Sequence, residues 1–373
     1  MKILYGVQAT GQGHISRARA MAAALARCDA EVTWLFSGRA REARFDMEPF
    51  GDFLHRRGLS FATRAGRIRY RATLRSNKIP AFLRDVRALD VARYDAIVTD
   101  YEPVTAWAAR CAGVPAIGIG HQYGFGPGTP RAGRRWWTEC IMRNFAPVDT
   151  ALGLHWHPYA DNVLPPILDL PDMPLERAGH ILVYLPFEDQ EAITRRLRRL
   201  SDHRFVQYAN GIESETRGNV LRQRANIDGF KRHLASCSGV ICNSGFELIS
   251  ECLQWGKPVL TKPLEGQMEQ LSNALALQQL GYATTVADTG VETLGGWLRE
   301  PHRAPALTFP DVAPALARWL ADGQSATPAQ LASSLWNTCD QSAAAAGPVM
   351  SSRETRKSTR LTLRKLGQSP QIS

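Results

Sequence analysis

The first half of the chain alternates short apolar runs with segments of helical periodicity. Residues 3–7 form a continuous apolar run, as expected for a strand buried on both faces of a parallel sheet. A glycine-containing turn follows, and apolar residues over 18–25 then repeat with the i, i+3, i+4, i+7 spacing of a helix face. Further strands are predicted over 31–36, 94–99, 114–119 and 151–156, with a helix over 103–111 that begins at a proline.

A proline-rich stretch over 158–174 separates this half from a second one of the same kind. Beyond it, strands are predicted over 181–185, 205–208, 240–242, 259–261 and 284–286. Two successive series of alternating strands and helices imply an α/β protein with two doubly wound, Rossmann-like domains whose strand ends face a cleft. We predict a first domain over 1–172 and a second over 173–322. A low-complexity linker and a basic C-terminal segment are predicted over 323–373.

Composition adds a charge imbalance to this picture. Of the 373 residues, 44% are hydrophobic and 21% are charged, which is typical of a globular protein. The formal net charge is +10, with basic residues concentrated over 64–87 and 353–365. Such patches favour an anionic partner, although a solvated loop and tail would have the same composition. Seven cysteines without a Cys-x-x-Cys pair argue against a disulfide framework and a structural zinc site. No secretory signal pattern follows Met1, so a cytoplasmic location is expected.

The loop after the first predicted strand contains two glycines and a histidine. Gly11 and Gly13 allow close approach of a ligand, and the helix N-terminus after them attracts anions and polar groups. Ser16 stands where a dinucleotide-binding loop would have its third glycine, so a dehydrogenase is not indicated. His14 follows the second glycine, where an imidazole would project into the cleft as a general base. A local hydrogen bond within the helix is the alternative role.

Two carboxylates, Asp100 and Glu102, lie at the carboxyl end of the strand predicted over 94–99. A carboxylate bonded to one imidazole nitrogen fixes the tautomer and stabilises the imidazolium. We predict that Asp100 does this for His14. Alternatively, Asp100 caps the helix that begins at Pro103, while Glu102 interacts with the dipole of that helix.

The most specific motif runs from 240 to 274. Its order is strand, the turn Asn243-Ser244-Gly245-Phe246, helix, strand, loop and helix. The turn places a helix N-terminus and the backbone N–H groups of Ser244 and Gly245 where a diphosphate can bind. Glu251, two turns into the helix, can accept hydrogen bonds from a ribose diol. Glu269 and Gln270 can bind the hydroxyls of a sugar.

This segment resembles the donor-binding signature of two-domain GT-B glycosyltransferases. The family includes the UDP-dependent transferases of plants and mammals and the bacterial transferase that adds N-acetylglucosamine to the lipid-linked peptidoglycan precursor. The Gly-x-Gly-His loop and Val98-Thr99-Asp100 look like the family's catalytic His and its Asp partner. By the same resemblance, Glu251 matches the ribose-binding Glu and Gln270 the sugar-binding Gln, with Glu269 where many members have Asp. The start Gly-x-Gly-His-x-x-Arg is also similar to that of a bacterial nucleotide-sugar hydrolase of this fold.

The chain departs from the family pattern at several positions. Asn243 occupies the place of a phosphate-contacting His in plant members, whereas Gly245 matches their Gly. Glu247 and Leu248 replace an Asn-Ser pair, and the loop over 185–188 lacks the usual Gly-Ser phosphate turn.

Metal ligands are not indicated by the sequence. There is no Asp-x-Asp sequence, so the metal-bound diphosphate arrangement of the other major glycosyltransferase fold is not predicted. We interpret His155 and His157, at i and i+2 on a predicted strand, as structural residues. The resemblance implies a nucleotide-sugar co-substrate, expected to be UDP-linked, with no metal and no other cofactor.

The predicted function is sugar transfer from a nucleoside diphosphate to an acceptor hydroxyl or amine, by a metal-independent, inverting displacement. A nucleotide-sugar hydrolase and a 2-epimerase of the same fold are the alternatives. A nucleic-acid-binding protein would explain the charge, but no recognised nucleic-acid module accompanies it, so no nucleic acid is expected.

A lipid-phosphate-linked acceptor and peripheral contact with an anionic membrane would explain the basic and aromatic residues over 64–87 and 131–137. Packing of Trp136 and Trp137 in the core is the alternative.

Overall fold

The computed structural model describes residues 1–39, 47–60, 63–64, 67–68, 73, 77–133, 136–176, 178–300, 304 and 307–339. The predicted basic C-terminal segment over 353–373 lies outside the described residues, as do residues 65–66, 69–72 and 74–76 of the basic segment over 64–87.

The first lobe contains the strands of the N-terminal half. They are β1 (Lys2–Gln8), β2 (Glu31–Ser37), β3 (Leu54–His55), β4 (Thr63–Arg64), β5 (Arg67–Ile68), β6 (Ala96–Asp100), β7 (Ala116–Gly120), β8 (Thr150–Leu154) and β9 (Val163–Leu164). The helices are α1 (Gln12–Leu25), α2 (Ile79–Arg87), α3 (Pro103–Ala112) and α4 (Trp136–Asn144). Seven strands form one parallel sheet in the order β3-β2-β1-β6-β7-β8-β9, and β4 pairs with β5.

The second lobe repeats this plan. Its strands are β10 (His180–Tyr184), β11 (Arg204–Ala209), β12 (Glu215–Arg217), β13 (Val220–Arg224), β14 (Gly239–Asn243), β15 (Val259–Lys262) and β16 (Thr284–Thr285). Its helices are α5 (Gln190–Arg198), α6 (Ile227–Ser236), α7 (Phe246–Gln254), α8 (Met268–Leu280) and α9 (Val291–Arg299). The sheet order is β12-β13-β11-β10-β14-β15-β16, and β12 pairs antiparallel with β13.

The α/β class with two doubly wound sheets is confirmed. Each predicted run falls on a strand, and most of these strands are largely buried on both faces; in β1, six consecutive residues are buried. The short β16 is an exception, with Thr284 exposed. β12 and β13 were not predicted, because they carry polar and charged residues at most positions. The chain beyond β13 then returns to the predicted alternation.

The last described part of the chain returns to the first lobe. Helix α10 (Val312–Ala321) packs against α1, and helix α11 (Pro328–Trp336) packs against β8 and β9. The Nε1 of Trp336 donates a hydrogen bond of 2.6 Å to the carbonyl of Val163. The region predicted as a low-complexity linker therefore contains a helix, while the domain boundaries at 172 and 322 stay predictions.

Helix α11 was missed because its Ser- and Ala-rich composition hides a narrow apolar face. Leu331, Ala332 and Leu335 are buried, and Thr327 forms a capping box with Gln330 at the start of the helix. The N-terminal cap and the buried apolar face together stabilise this short helix against β8 and β9 of the first lobe.

The two lobes pack directly on each other. One buried apolar cluster continues from the first sheet into the second lobe. The Nε1 of Trp156, after β8, donates a 2.8 Å hydrogen bond to the Oγ of Ser250 in α7. Across the described ranges, no helix combines the length and apolar character needed to cross a bilayer.

Candidate active site

His14 and Asp100 meet at the carboxyl edge of the first sheet. Helix α1 begins just after β1, so His14 lies in its first turn, and Asp100 is the last residue of the neighbouring strand β6. The His14 Nδ1 is 2.8 Å from the Asp100 Oδ1. The Asp100 side chain is fully buried, whereas 14% of the His14 side chain is exposed. Because a carboxylate only accepts hydrogen bonds, it holds the proton on Nδ1 and leaves Nε2 to accept another.

Arg17, one turn after His14, binds the other side of Asp100. Its Nε is 2.9 Å from Oδ2 and its Nη2 is 2.5 Å from Oδ1 of Asp100. Burial alone would raise the pKa of Asp100, but Arg17 and then His14 outweigh burial and lower it. Arg17 had no predicted role; the Gly-x-Gly-His-x-x-Arg spacing, which puts it on the same helix face as His14, was the available signal.

Glu247, in the first turn of α7, reaches across from the second lobe to Arg17. Its Oε1 forms an ion pair with Arg17 Nη1, and the Arg17 side chain is only 1% exposed. Burial opposes the charge of Arg17, yet Asp100 and Glu247 keep its pKa above the ordinary value. For Glu247, burial would raise the pKa, but Arg17 and then His14 and His121 lower it. A Cβ at Gly13 would lie 2.3 Å from Glu247 Oε2, so a larger residue at this position would require the Glu247 side chain to move.

Glu102 serves the fold rather than His14. It is the N-cap of α3, where its carboxylate accepts hydrogen bonds from the N–H groups of Val104 at 2.8 Å and Thr105 at 2.6 Å. Burial raises its pKa despite these bonds. The capping role that was considered for Asp100 therefore belongs to Glu102.

The turn after β14 is largely engaged in internal hydrogen bonds. The Gly245 N–H donates to the Asn243 carbonyl at 2.8 Å, so it is not directed at a diphosphate in this structure. The buried Ser244 Oγ is 2.9 Å from the Thr261 Oγ1. The Asn243 amide donates to the Lys262 carbonyl at 3.0 Å, but its buried Oδ1 has no partner among the described residues.

Phe246 belongs to the packing between the lobes. Its ring stacks on that of His121, with centroids 4.0 Å apart and an angle of 6° between the planes. The His121 Nε2 is 2.7 Å from the Oδ1 of Asn273 in α8, while its Nδ1 is 2.8 Å from the Leu154 carbonyl. His121 therefore connects the ends of β7 and β8 with the second lobe, a role that was not predicted.

Glu251 lines a cavity of about 110 Å³ between the lobes, together with Gly13 and Ser16 of α1. Its Oε1 is 2.5 Å from the Lys231 Nζ and 3.5 Å from the Ser16 Oγ. Burial raises the pKa of Glu251, and Lys231 only partly offsets this effect.

The remaining predicted donor-binding residues do not line this cavity. Gln270 is buried, and its Oε1 accepts a 2.8 Å hydrogen bond from the Leu264 N–H. The Glu269 Oε2 accepts a 3.1 Å hydrogen bond from Gln122, which belongs to the first lobe. Gly11 is the N-cap residue of α1.

The described part of the chain contains no group of three or more His, Cys, Asp or Glu side chains that could hold a metal ion. His155 lies among aromatic rings, where its Nδ1 accepts a 2.9 Å hydrogen bond from the Trp156 N–H and burial lowers its pKa.

Comparison with solved structures shows which fold these two lobes form. The chain is similar to the SsfS6 glycosyltransferase of Streptomyces sp. SF2575 in complex with thymidine diphosphate. The TM-score is 0.53 at 15% identity, over 91% of this chain and 100% of that chain. It is also similar to the spinosyn rhamnosyltransferase SpnG complexed with thymidine diphosphate, with a TM-score of 0.52 at 13% identity, over 90% and 100% of the two chains. The predicted GT-B fold is thereby confirmed.

Sequence comparison identifies the family. No curated protein matches the chain. The family model for "Glycosyl transferase family 1" matches residues 1–126 and 158–300, most of both lobes. This chain is therefore a glycosyltransferase and belongs to glycosyl transferase family 1.

Proposed function

We propose that this enzyme transfers a sugar from a nucleoside diphosphate donor to an acceptor hydroxyl or amine in one inverting displacement. His14 removes the acceptor proton through Nε2 while Asp100 holds its Nδ1 proton and stabilises the imidazolium that forms. The departing diphosphate is stabilised by backbone N–H groups at the first turns of α1 and α7, and no metal takes part.

The observation that carries this proposal is the His14–Asp100 contact of 2.8 Å at the edge that faces the second lobe. Arg17 and Glu247 connect this pair directly to the first turn of α7. His14 thus lies next to the N-terminus of α7 in the opposite lobe. This arrangement suits a reaction in which the imidazole takes the acceptor proton and the helix N-terminus stabilises the departing nucleoside diphosphate.

The donor is proposed to enter the cavity next to Glu251, whose carboxylate suits the two hydroxyls of a ribose. This favours a UDP-sugar, although the two similar structures were solved with thymidine diphosphate. Ligand pockets usually measure about 300–1,000 Å³, more than the cavity's 110 Å³. We therefore expect the lobes to separate when the donor enters.

Among the predicted donor-binding residues, Gly13 and Glu251 line the cavity. Asn243, with its unpartnered Oδ1, is proposed to reach the donor once the lobes separate. Binding by Gly11, Ser244, Gly245, Phe246, Glu269 and Gln270 also remains a proposal, and it requires release of several of the contacts described above.

The test is product analysis by mass spectrometry after incubation with UDP- and TDP-sugars, with and without a panel of alcohol and amine acceptors. A glycosylated acceptor is the expected product. Free sugar in place of it would indicate a hydrolase, an epimerised donor would indicate an epimerase, and no turnover of any donor would contradict the proposal.

The role of His14 has its own variant. His14→Ala is expected to lower transfer by about 10²–10⁴-fold without changing the Kd for the nucleoside diphosphate. His203→Ala, on the turn before β11, is the matched control. Unimpaired transfer by His14→Ala would exclude the imidazole as the base.

We further propose that the acceptor is presented at an anionic membrane surface. Apolar side chains of α2 and α4 are exposed: Ile79 by 52%, Leu83 by 42% and Trp136 by 82%. Helix α2 also carries the basic residues Arg84 and Arg87, and both helices contact α3. Exposed apolar side chains next to Arg suit the headgroup region of anionic lipids.

A further inference from the structure

The cavity between the lobes contains two hydrogen-bond donors without acceptors. The Arg19 Nη1 and the Gln12 Nε2, both on α1, are buried and have no partner among the described residues. Both residues line the same cavity as Glu251. Buried N–H groups are nearly always paired in native proteins, because removing them from water without a new acceptor is unfavourable. Two such groups in one cavity are candidates for hydrogen bonds to the oxygen atoms of a ligand.

Arg19 is held in a fixed orientation towards this cavity. Its Nε donates a 3.0 Å hydrogen bond to the Oδ2 of Asp169, and the Ser16 Oγ donates to the same oxygen at 3.1 Å. The Arg19 side chain is 13% exposed. Asp169 thus occupies one side of the guanidinium group, while Nη1 has no partner among the described residues.

The charges at the cavity favour an uncharged acceptor. The Arg19 cation is paired with Asp169, and Lys231 is paired with Glu251. Glu247, which also lines the cavity, is paired with Arg17. Because Arg19 and Lys231 already have their carboxylates, a phosphate placed directly beside Arg19 would leave excess negative charge there. Hydroxyl or carbonyl oxygens would satisfy the N–H groups without it.

Two aromatic side chains of the second lobe also line the cavity. Tyr184, at the end of β10, and Phe230, in α6, have ring centroids 5.3 Å apart at an angle of 70°. An aromatic wall beside a carboxylate and two unpaired donors is suited to a heterocyclic base attached to a ribose.

We propose that Arg19 and Gln12 are nucleoside-binding residues, whose N–H groups donate hydrogen bonds to ribose hydroxyl or base carbonyl oxygens of the donor. The inference rests on the proposed function, since it takes the donor to be a nucleotide sugar. It adds that helix α1 of the first lobe binds the nucleoside together with Glu251 of the second lobe. Donor binding is therefore coupled to the relative position of the two lobes.

The test measures the Kd of the full chain for UDP and 2′-deoxyuridine diphosphate by calorimetry and for uridine by NMR titration. Arg19→Met is expected to weaken UDP binding by about 10–100-fold, and Gln12→Ala by about 3–10-fold. Arg27→Met, an exposed arginine just after α1, is the matched control and is expected to bind normally. Thermal unfolding of each variant shows whether it is folded.

The comparison between ligands identifies the atoms involved. An equal loss of affinity for UDP and for uridine in Arg19→Met supports contact of Arg19 with the nucleoside. A smaller loss for the 2′-deoxy compound assigns the contact to the 2′-hydroxyl, and an equal loss assigns it to the base or the 3′-hydroxyl. Unchanged UDP binding by folded Arg19→Met, or a loss for UDP without one for uridine, overturns the inference and leaves the proposed function intact. Failure of the wild-type chain to bind any nucleotide contradicts the proposed function itself.

Discussion

Replacement of Arg17 by methionine tests the charge arrangement at the centre of the molecule. Arg17 is 1% exposed and binds Asp100, which is fully buried, and Glu247, which is 20% exposed. Methionine has a similar length and keeps most of the packing, but it removes the positive charge from between the two carboxylates. Asp100 then remains buried, and among the described side chains His14 is the one that still hydrogen-bonds to it.

The expected cost follows from the burial of these groups. Removing one partner of a buried ion pair typically costs about 3–5 kcal/mol, because the other charge is left uncompensated. For a chain of this length, such a loss lowers the Tm by roughly 4–6 °C. Replacing Glu247 by glutamine in the same chain removes one of the uncompensated charges, so Arg17→Met/Glu247→Gln is expected to recover part of the loss.

The loss of stability caused by Arg17→Met is expected to be larger at neutral pH than at acidic pH. The folded-state pKa values of Asp100 and Glu247 lie below their ordinary values of 3.8 and 4.5. The stabilisation by Arg17 is therefore fully present above those ordinary values and is lost as the pH falls through the lowered ones. Below about pH 5, protonation of Asp100 and Glu247 also removes uncompensated charge from the Arg17→Met variant. The difference in Tm between the variant and the wild type therefore narrows.

The assay is thermal and urea unfolding followed by circular dichroism at several pH values from 7 to 4. Arg27→Met serves as the control for loss of an arginine at an exposed position of the same segment. A Tm of Arg17→Met within about 1 °C of the wild type at pH 7 would refute the reasoning from buried charge. A difference that stays constant down to pH 4 would refute it as well.

Two further predictions concern other surfaces of the molecule. Trp336→Ala is expected to lower the free energy of unfolding by about 2–3 kcal/mol in urea unfolding, because it removes the contact of α11 with β9. The exposed Trp136→Ala is expected to change it by less than about 0.5 kcal/mol, and equal effects would contradict the docking of α11. Leu83→Glu is expected to reduce co-sedimentation with vesicles containing phosphatidylglycerol while Asp52→Glu, an exposed control, does not. Equal binding of the wild type to neutral phosphatidylcholine vesicles would contradict the proposed anionic surface.

Contacts between strand ends were predictable from the sequence. His14 and Asp100 are separated by 86 positions, yet each follows or ends a strongly apolar strand. The carboxyl ends of neighbouring parallel strands lie at one edge of a sheet, so the pattern alone brings the two residues together. Glu251 could be placed near the cleft for the same reason, since it lies on the helix that follows β14.

The contacts between the lobes were not predictable. Arg17 and Glu247 are 230 positions apart, and their contact depends on how the lobes are oriented, which hydrophobic periodicity does not encode. The same holds for His121 and Phe246. The ion pair between Lys231 and Glu251 lies within the second lobe, and hydrophobic periodicity does not encode it either. In the turn predicted to bind a diphosphate, Gly245 and Ser244 are engaged in hydrogen bonds that a motif cannot reveal.

We expect the two lobes to bind a nucleotide sugar between Glu251 and His14. The most direct test of this binding mode is a crystal structure of the protein bound to the nucleoside diphosphate sugar that product analysis identifies. We expect the nucleoside beside Glu251, Tyr184 and Phe230, the diphosphate at the first turn of α7, and the anomeric carbon facing the His14 imidazole. A nucleotide bound outside this cavity, or an anomeric carbon directed away from His14, would contradict it.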